Sequence, residues 1–492
     1  LDALARPEIE CISVKASTIY SQVSSLAFED TVAVLSDRLE TLYREAAARR
    51  FTRSDGSEVP KFVYLDMEEY RDMSVTAEAF MRALDRPGLE GAGAGIALQA
   101  YVPDSFLVQK RINGWARRRV AAGGAPVTIR LVKGANLEME RVEASIRGWP
   151  QAPYKTKAEV DANFKRMLHE GMVPENLVAV HLGIASHNLF DVAYALILAA
   201  REGALNRVQF EMLEGMANHQ RRALNELTEN LLLYAPATKR ADFIHAIGYL
   251  VRRLDENTGP DNFLAHSFRI EVGSEDWQEL EQQFLASFLL IDTLSDGPRR
   301  TQDRRTEERR PVTPAPELAT FGNEPDTDFA LPQNVEWAKA LIEEWSGVRG
   351  DAAMDLPLVI AGEERRGDRG RMECADPSRP GEVVARYPDA KDADLEDALG
   401  CAAADPAGWR SRSCEERSAI LGEVAENLRV ARGRLIGAAM ADGGKTIPES
   451  DPEVSEAIDF VEFYRRSALY FHRLPGVEAK PKGVVAVVPP WN

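Results

Sequence analysis

Several features are scarce in this chain of 492 residues, and each scarcity argues against a class of protein. Acidic residues outnumber basic ones by 78 to 60, so the net charge is −18 and the basic footprint that nucleic-acid phosphates require is missing. The four cysteines form no CxxC pair, which argues against a disulfide framework or a zinc site and suits free thiols in a reducing compartment. The longest apolar run, 192–200, is far shorter than the ~20 residues of a membrane-spanning helix.

The two ends of the chain look cut. The chain begins and ends directly beside predicted strands, and no secretory signal is visible. We therefore expect a piece of a longer protein. Its composition, with 45% hydrophobic and 28% charged residues, is that of an ordinary soluble globular chain.

Short β-rich runs alternate with amphipathic helical stretches over residues 1–295. The predicted strands are 9–15, 61–67, 95–101, 127–133, 176–182, 207–213 and 231–237. The helices predicted between them include 28–50, 76–84, 105–122, 157–169 and 189–202. Seven or eight β/α units favour a closed parallel barrel over an open doubly wound sheet. No glycine-rich dinucleotide fingerprint follows the first strand, which also argues against a Rossmann fold.

The composition changes near Asp296. Residues 296–350 are polar, charged and rich in proline, which is typical of a linker or flexible tether. From residue 351 a second α/β unit begins with a short strand and a hairpin-like stretch. It continues with helices predicted at 392–403, 414–432 and 455–472, and closes with KGVVAVVPPWN, which reads as a buried strand running into a turn.

Polar residues stand at the carboxyl ends of the predicted strands, where the ligand site of a β/α barrel forms. They are Lys15, Asp66, Gln99, Tyr101, Arg130, Lys133, Ser186, His187, Asn188, Glu211, Glu214 and Tyr234. Each alone has an ordinary structural explanation, such as a helix cap or a half-buried packing residue. Their joint occurrence at one end of successive strands indicates a binding site.

The segment VTIRLVKGANL (127–137) places an arginine within a strand. Its apolar residues alternate in the manner of a strand with one buried face, and Arg130 lies on the other face. An arginine inside a sheet is costly unless an anion meets it, so the segment predicts either an anionic partner or a solvated edge strand. Lys133, Gly134 and Ala135 then resemble an anion cradle, because glycine lets the backbone approach a ligand and Asn136 can cap the helix that follows.

An arginine pair interrupts the apolar face of the last predicted helix, 243–257. Arg252 and Arg253 suit a clamp for a small carboxylate, since guanidinium groups bind carboxylates through paired hydrogen bonds. An exposed surface pair is the alternative. A metal site built from His181, His187 and neighbouring carboxylates is a further rival, but its spacing matches no common metal motif. We therefore predict no metal.

Seven ordered motifs resemble the signature set of the proline dehydrogenase family, over essentially all of residues 9–265. They are LDMEE (65–69), LQAY (98–101), IRLVKGA (129–135), SHN (186–188), FEML-x-GM (210–216), YAP (234–236) and YLVRRLDEN (249–257). The second unit resembles the N-terminal part of an aldehyde dehydrogenase of the Δ1-pyrroline-5-carboxylate type. The two in this order resemble the bifunctional proline utilization A family of bacteria.

The resemblance implies a distorted (βα)8 TIM-like barrel at 1–295 that binds FAD. Such a barrel oxidises L-proline to Δ1-pyrroline-5-carboxylate by hydride transfer, the first step of proline catabolism to glutamate. By the same resemblance, the cofactor-binding residues are Gln99, Arg130, Lys133, Gly134, Ala135, Ser186, His187, Asn188 and Glu256. The implied catalytic and substrate-binding residues are Lys15, Asp66, Leu213, Tyr234, Arg252 and Arg253. Of these, the lysine and the two arginines pair with the proline carboxylate, and Leu213 and Tyr234 wall the ring.

The resemblance also implies a linker at 296–350 and an incomplete α/β aldehyde dehydrogenase domain at 351–492. Asn492 corresponds to the oxyanion-stabilising amide of that family, while its nucleophilic cysteine, its general base and most of its NAD site would lie beyond the chain. None of Cys374, Cys401 and Cys414 stands in a context that resembles the nucleophile. We therefore expect no aldehyde oxidation by this chain.

The partners implied are L-proline and a membrane quinone as electron acceptor. We expect a cytoplasmic protein with peripheral contact to the inner membrane and no nucleic-acid partner. A homo-oligomer is compatible with the sequence, which leaves the oligomeric state open. Three alternatives also stay open: oxidation of another cyclic imino acid such as hydroxyproline, a metal-dependent barrel hydrolase, and a non-catalytic docking module.

Overall fold

The computed structural model describes residues 1–53, 55–228, 230–236, 238–258, 262–267, 270–366 and 370–489, except for the side chains of His245, Asp255, Glu256, Asn257 and Ser267. The chain divides into two compact units. The first comprises Leu1–Ile146 and Pro150–Thr301, and the second comprises Arg147–Trp149 and Gln302–Asn492. The predicted boundaries at 295 and 350 stay predictions.

The first unit is built on one curled sheet of seven parallel strands that follow one another in chain order. The strands are β1 (Cys11–Lys15), β2 (Phe62–Asp66), β3 (Ala94–Gln99), β4 (Val127–Val132), β5 (Val180–Ala185), β6 (Val208–Leu213) and β7 (Leu231–Tyr234). The α/β class is confirmed, and each predicted strand overlaps an observed one. In the part of the chain described, the sheet is a half-barrel of seven strands rather than a closed ring of eight.

Helices connect the strands and cover the sheet. They are Asp2–Ala5, Ala16–Ile19, Phe28–Ala48, Met73–Leu84, Ser105–Ala121, Leu137–Arg147, Lys157–Gly171, Pro174–Leu177, Leu189–Arg201, Asn218–Thr228, Ile247–Thr258, Phe263–Ser267 and Glu275–Phe288. Short 3₁₀ turns lie at Tyr70–Asp72, Leu205–Arg207, Arg240–Ala246 and Ile291–Thr293, and a small hairpin joins Arg50–Thr52 to Glu58–Pro60. No helix within the described ranges is long and apolar enough to cross a membrane.

Capping residues explain where two of these helices begin. Thr156 and Glu159 form a reciprocal capping box at the start of Lys157–Gly171. The Asn188 side chain accepts a hydrogen bond from the backbone N–H of Phe190 at 3.0 Å and so starts Leu189–Arg201. The Asn188 cap also fixes the loop after β5, which carries the candidate residues Ser186 and His187.

The core of the half-barrel lies between sheet and helices. Every residue of β3 is buried, and β4, β5 and β6 share a pattern with four of six residues buried. Near-continuous burial is expected for parallel strands covered on both faces. Polar side chains among these strands therefore need partners within the protein.

The second unit combines small sheets with long helices. Strands Met354–Asp355, Val383–Pro388 and Arg371–Ala375 form one sheet, and Leu358–Ile360 pairs with Glu363–Arg365 as a hairpin. The helices are Pro332–Ser346, Asp392–Ala404, Cys414–Val430, Arg432–Gly443 and Ile447–His472, with 3₁₀ turns at Leu318–Thr320, Gly350–Ala352 and Trp409–Ser411. The predicted helices at 392–403, 414–432 and 455–472 are therefore present, with shifted ends.

The buried strand predicted for KGVVAVVPPWN is wrong over the residues described, which reach 489. That stretch forms no strand, and four of its valines are 50% to 88% exposed. A strand needs a neighbour that takes its backbone hydrogen bonds, and within the described ranges no strand pairs with this one. An apolar run alone does not supply that neighbour.

Much of the polar segment predicted as a linker is packed into the second unit. The buried Arg304 guanidinium donates to Thr327 Oγ1 at 3.0 Å and to the Pro325 carbonyl at 2.6 Å. The Thr327 hydroxyl in turn donates to Asp451 on the last long helix at 2.6 Å. A charged composition is therefore compatible with a packed segment, because each buried charge finds a partner.

Candidate active site

Arg130 on β4 bridges two carboxylates inside the half-barrel. The side chain is buried, and its Nε donates to Glu211 Oε2 on β6 at 2.5 Å. Its Nη1 donates to Asp66 Oδ1 at the end of β2 at 2.9 Å and reaches Ser13 Oγ on β1 at 3.4 Å. The cost of placing an arginine in a sheet is thus offset by carboxylates of the chain itself.

Two tyrosines complete this cluster. The Arg130 guanidinium carbon lies 3.7 Å from the ring centroid of Tyr64 and 5.0 Å from that of Tyr234. The Tyr64 hydroxyl donates to Glu211 Oε1 at 2.6 Å, and the Tyr234 hydroxyl donates to Asp66 Oδ2 at 3.0 Å. Each carboxylate is therefore held by one arginine nitrogen and one phenol, a charge-assisted network in a buried setting.

Burial and charge set the protonation of the cluster. Burial opposes the charged form of Arg130, yet the carboxylates of Glu211 and Asp66 outweigh it and raise the pKa of the guanidinium. Burial raises the pKa of the Glu211 carboxyl, against the pull of Arg130. Burial, reinforced by the Glu211 charge, raises the pKa of Tyr64 well above its usual range. Tyr64 therefore stays a hydrogen-bond donor.

One nitrogen of Arg130 has no hydrogen-bond partner among the described residues. Its Nη2 is buried and makes no hydrogen bond, whereas Nε and Nη1 are both engaged. A buried donor without an acceptor costs about 1–3 kcal/mol. A bound molecule that offers an acceptor at this position would remove that cost.

A second charged cluster begins one residue after β4. Lys133 Nζ lies 2.5 Å from Asp161 Oδ1 and 2.7 Å from Asp191 Oδ2. Lys157 also binds Asp161, at 2.9 Å, and the buried Lys165 lies 3.4 Å from Asp191. Burial opposes ionisation of Asp161, yet its two lysines lower its pKa to about 2. Three lysines share two aspartates, so one positive charge is left over.

The loop after β5 is held by local hydrogen bonds. Besides starting its helix, Asn188 donates its backbone N–H to Ser186 Oγ at 3.1 Å. His187 Nε2 accepts a hydrogen bond from the backbone N–H of Leu213 at 3.2 Å, which joins this loop to the end of β6. Burial, aided by the charge of Arg253, lowers the pKa of His187 to about 4. His187 is therefore neutral near pH 7.

Gly134 is required by the packing of the chain itself, and the predicted approach of a ligand to its backbone stays a prediction. Its φ of +130° is a conformation open mainly to glycine. An added Cβ would lie 2.0 Å from the ring of the buried Tyr101. Ala135, which follows, is exposed. The glycine thus makes room for an aromatic side chain of the chain itself.

Two amides fix the turn after β2. The buried Gln99 Nε2 donates to the carbonyls of Met67 and Glu68, each at 3.2 Å. Asn136, predicted to cap the next helix, donates its side-chain amide to the Glu68 carbonyl at 2.6 Å. Lys15 at the end of β1 forms an ion pair with the Glu68 carboxylate. Three sequence-predicted side chains therefore converge on the residues that follow Asp66.

The arginine pair lies on the helix Ile247–Thr258, half-buried. The Arg253 guanidinium carbon is 4.9 Å from the Tyr249 ring, and its charge acts on His187. Lys15 pairs with Glu68, and Asp66 pairs with Arg130. The predicted clamp of Lys15, Arg252 and Arg253 stays a prediction. The side chain of Glu256, on the same helix, lies outside the described residues.

Sequence reasoning missed several members of these clusters. Tyr64 precedes Asp66 by two residues, so the period of a strand places both on one face, a signal that was available. Ser13 and Lys15 on β1 are likewise two residues apart, so they also lie on one face of their strand. Asp161 and Lys165 lie within a helix, where nothing in the sequence distinguishes them from solvated surface charges.

The described residues contain no group of three histidine, cysteine, aspartate or glutamate side chains able to hold a metal ion. The candidate site is instead a set of paired charges, tyrosines and amides at the carboxyl ends of parallel strands. This arrangement is that of an α/β half-barrel whose ligand site lies at one end of its sheet.

Comparison with known families identifies the class more closely. Residues 2–266 match the family described as proline dehydrogenase, and residues 365–492 match the aldehyde dehydrogenase family. The first match covers more than half of the chain, which therefore belongs to the proline dehydrogenase family. Both matched families are those expected from the motifs.

Proteins named bifunctional protein PutA or proline utilization A are similar to nearly the whole chain. The chain is 24% identical to the bifunctional protein PutA of Klebsiella aerogenes over 98% of its own length and 35% of the relative's. It is 34% identical to proline utilization A from Corynebacterium freiburgense, with a TM-score of 0.69 over 96% of this chain and 40% of that one. It is 28% identical to proline utilization A from Bdellovibrio bacteriovorus inactivated by N-propargylglycine. The TM-score of that match is 0.77, over 94% of this chain and 44% of that one. The chain thus spans less than half the length of these relatives.

Proposed function

We propose that the first unit is an FAD-dependent proline dehydrogenase, which oxidises L-proline to Δ1-pyrroline-5-carboxylate. The family match and the similarity to proteins named proline utilization A support this proposal. The observation that carries it is the buried Nη2 of Arg130, which has no hydrogen-bond partner in the part of the chain that the structure describes. A planar ligand with acceptor atoms would satisfy that donor.

The residues of the site fit a flavin dinucleotide in two respects. Arg130 offers Nη2 to an acceptor of the ring, with its guanidinium plane fixed by two carboxylates. The lysine cluster retains one positive charge, since Lys133, Lys157 and Lys165 pair with two aspartates among the described residues. That surplus suits a phosphate group, which is attracted to fixed cations. When bound, the flavin accepts a hydride equivalent from the substrate.

Ser186, His187 and Asn188 are proposed to lie along the same cofactor. They form a loop fixed by the Asn188 cap and by the Leu213 N–H bond to His187. The imidazole of His187 is neutral near pH 7 and therefore adds no positive charge to this loop. Gln99, Gly134 and Ala135 are proposed to line the cofactor through their backbone, and Glu256 is proposed for its adenosine end.

Proline is proposed to bind through its carboxylate to Lys15, Arg252 and Arg253. Guanidinium groups bind carboxylates with two parallel hydrogen bonds, which orients as well as attracts. Lys15 is already placed at the carboxyl end of β1 by its ion pair with Glu68. Leu213 and Tyr234 supply apolar and aromatic surface at the ends of β6 and β7.

Oxidation of proline removes two electrons and two protons. C5 loses a hydride, the ring nitrogen loses a proton to solvent, and a C5=N double bond forms. Orientation and exclusion of water carry this chemistry more than an acid or base does. Asp66 positions both Arg130 and Tyr234 and is assigned no proton transfer. A membrane quinone, reached by peripheral contact with the membrane, is proposed as the acceptor that reoxidises the enzyme.

The experiment is a spectrum of the purified chain after loading with FAD. A yellow protein that bleaches anaerobically on addition of L-proline supports the proposal. A colourless protein that binds a divalent metal would favour a barrel hydrolase. A yellow protein that bleaches with hydroxyproline but not with proline would favour another imino acid oxidase, and one that bleaches with neither would favour a docking module.

A double variant tests the carboxylate clamp. Arg252→Ala with Arg253→Ala removes two charged donors, each contributing about 1.5–3 kcal/mol, so we expect at least about a hundredfold weaker proline binding with FAD retained. Arg221→Ala with Arg222→Ala is the matched control, because it removes an adjacent arginine pair from the helix Asn218–Thr228. Equal proline affinity in both double variants would refute the clamp.

For the second unit we propose no aldehyde oxidation by this chain. A nucleophilic cysteine must be a thiolate, and burial raises the pKa of Cys374 and of Cys414 instead. The test is NADH formation from glutamate semialdehyde and NAD. Turnover at a rate typical of aldehyde dehydrogenases would refute this proposal without touching that for the first unit.

A further inference from the structure

Glu211 is the most completely enclosed charged group of the Arg130 cluster. Its side chain is 2% exposed, and both of its oxygens are used, one by Arg130 Nε and one by the Tyr64 hydroxyl. The neighbouring strand makes room for it. A Cβ at Gly183 on β5 would lie 2.2 Å from Glu211 Oε1 and 3.0 Å from the Tyr64 oxygen.

The two carboxylates hold Arg130 at different points. Glu211 takes Nε and Asp66 takes Nη1, and two bonds to separate nitrogens define the plane of the guanidinium. With only the Asp66 bond the group could rotate about that contact. Glu211 therefore decides where Nη2 points.

The cluster also carries a defined charge. Arg130 contributes +1 and the two carboxylates contribute −1 each, so the ionised cluster sums to −1. Without the Glu211 charge the sum is 0. A negative charge beside an electron acceptor disfavours its reduction, and low dielectric surroundings strengthen the effect.

We propose that Glu211 is a positioning residue that aims Arg130 Nη2 at the bound flavin and lowers the reduction potential of that flavin through its charge. This inference rests on the proposed function of the first unit. Its geometric basis is the two-point clamp on Arg130 together with the space reserved by Gly183.

The two parts of the role are separated by two variants of the FAD-loaded chain. Glu211→Gln removes the charge. We expect the equilibrium constant for flavin reduction to rise about tenfold, which raises the midpoint potential of this two-electron couple by about 30 mV. Gly183→Ala displaces the carboxylate while keeping its charge, and we expect FAD to bind at least tenfold more weakly. Glu281→Gln, an exposed change on the helix Glu275–Phe288, is the matched control and should alter neither value.

The readouts are the midpoint potential, measured against a reference dye, and the FAD dissociation constant. A potential in Glu211→Gln equal to that of the control overturns the role of the charge. Unchanged FAD affinity in Gly183→Ala overturns the positioning role. If one variant fails to fold, the result from the other variant decides whether the proposal for Glu211 stands. Unfolding of both would make Glu211 purely structural and overturn the proposal. Failure of the unchanged chain to bind FAD or bleach with proline refutes instead the function proposed for the first unit.

Discussion

Replacing Arg130 with methionine should leave two carboxylates of the half-barrel without their shared counter-charge. Glu211 is the more severely affected, because its side chain is only 2% exposed, whereas that of Asp66 is 20% exposed. Methionine fills much of the volume of arginine, so packing changes little. The variant therefore isolates the loss of charge and hydrogen bonds.

The expected cost follows from the burial of the pair. Removing one partner of a buried ion pair costs about 3–5 kcal/mol, because the other charge stays buried and unpaired. Adding Glu211→Gln to Arg130→Met removes that unpaired charge, while the amide still accepts a hydrogen bond from the Tyr64 hydroxyl. We expect the double variant to recover at least about 2 kcal/mol of the loss.

The cost should depend on pH with a defined sign. Burial already raises the pKa of Glu211, and without Arg130 the folded-state pKa rises further above the unfolded value. A carboxyl with a raised folded pKa stabilises the fold only while protonated. Its contribution is full below the unfolded pKa of about 4.3 and is lost, by about 1.4 kcal/mol per pH unit, as the pH rises towards the folded pKa.

Hydrogen exchange of the amides in β4 and β6 is the suitable assay, because it reports the local free energy of opening in a chain with two units. After correction for intrinsic exchange rates, Arg130→Met should lose little stability at pH 5 and the full amount at pH 8. A loss independent of pH, or a double variant no more stable than the single one at pH 8, would refute this account of the cluster.

Three smaller predictions concern the surroundings of the site. His187→Phe should destabilise the unit by about 1–3 kcal/mol in urea unfolding, because the backbone N–H of Leu213 loses its acceptor. Since the folded pKa of His187 lies near 4, below the unfolded value of about 6.5, its contribution to stability should fall as the pH drops through that interval, and an NMR titration of the ring should give a midpoint near 4. Gly134→Ala should cost at least about 1–3 kcal/mol in the same unfolding assay, from backbone strain and contact with Tyr101, and a fully stable variant would contradict the steric argument. Asn188→Ala should cost about 1 kcal/mol by loss of a helix cap, and Asn188→Ser should restore most of it.

The strand ends were predictable because two general rules act together. Period-two alternation locates strands, and parallel strands in chain order bring their carboxyl ends to one edge. The sequence alone therefore assigns Lys15, Asp66, Gln99 and Arg130 to one site. Which partner each would take could not be predicted. Asp66 and Glu211 stand 64 and 81 residues from Arg130. The local sequence of a strand does not determine its register with its neighbours, so these partners could not be predicted.

Composition alone predicted poorly which residues are buried and which are exposed. The segment containing Arg304 was predicted to be a linker because it is charged, yet Arg304 is buried among polar partners. Conversely, the valines near 484–488 were predicted to be buried because they are apolar, yet they are exposed. In both cases the outcome depends on partners distant in the chain, which composition does not specify.

Gly183 on β5 constrains which side chain can stand at position 211 on β6. A chain that acquired any side chain at 183 would push against the carboxylate at 211, and a chain that shortened residue 211 would open a void beside the glycine. The two positions should therefore change together during divergence, with small residues at 183 wherever 211 is long and polar. An alignment of related chains in which 183 and 211 vary independently would show that the space between these strands is filled in some other way.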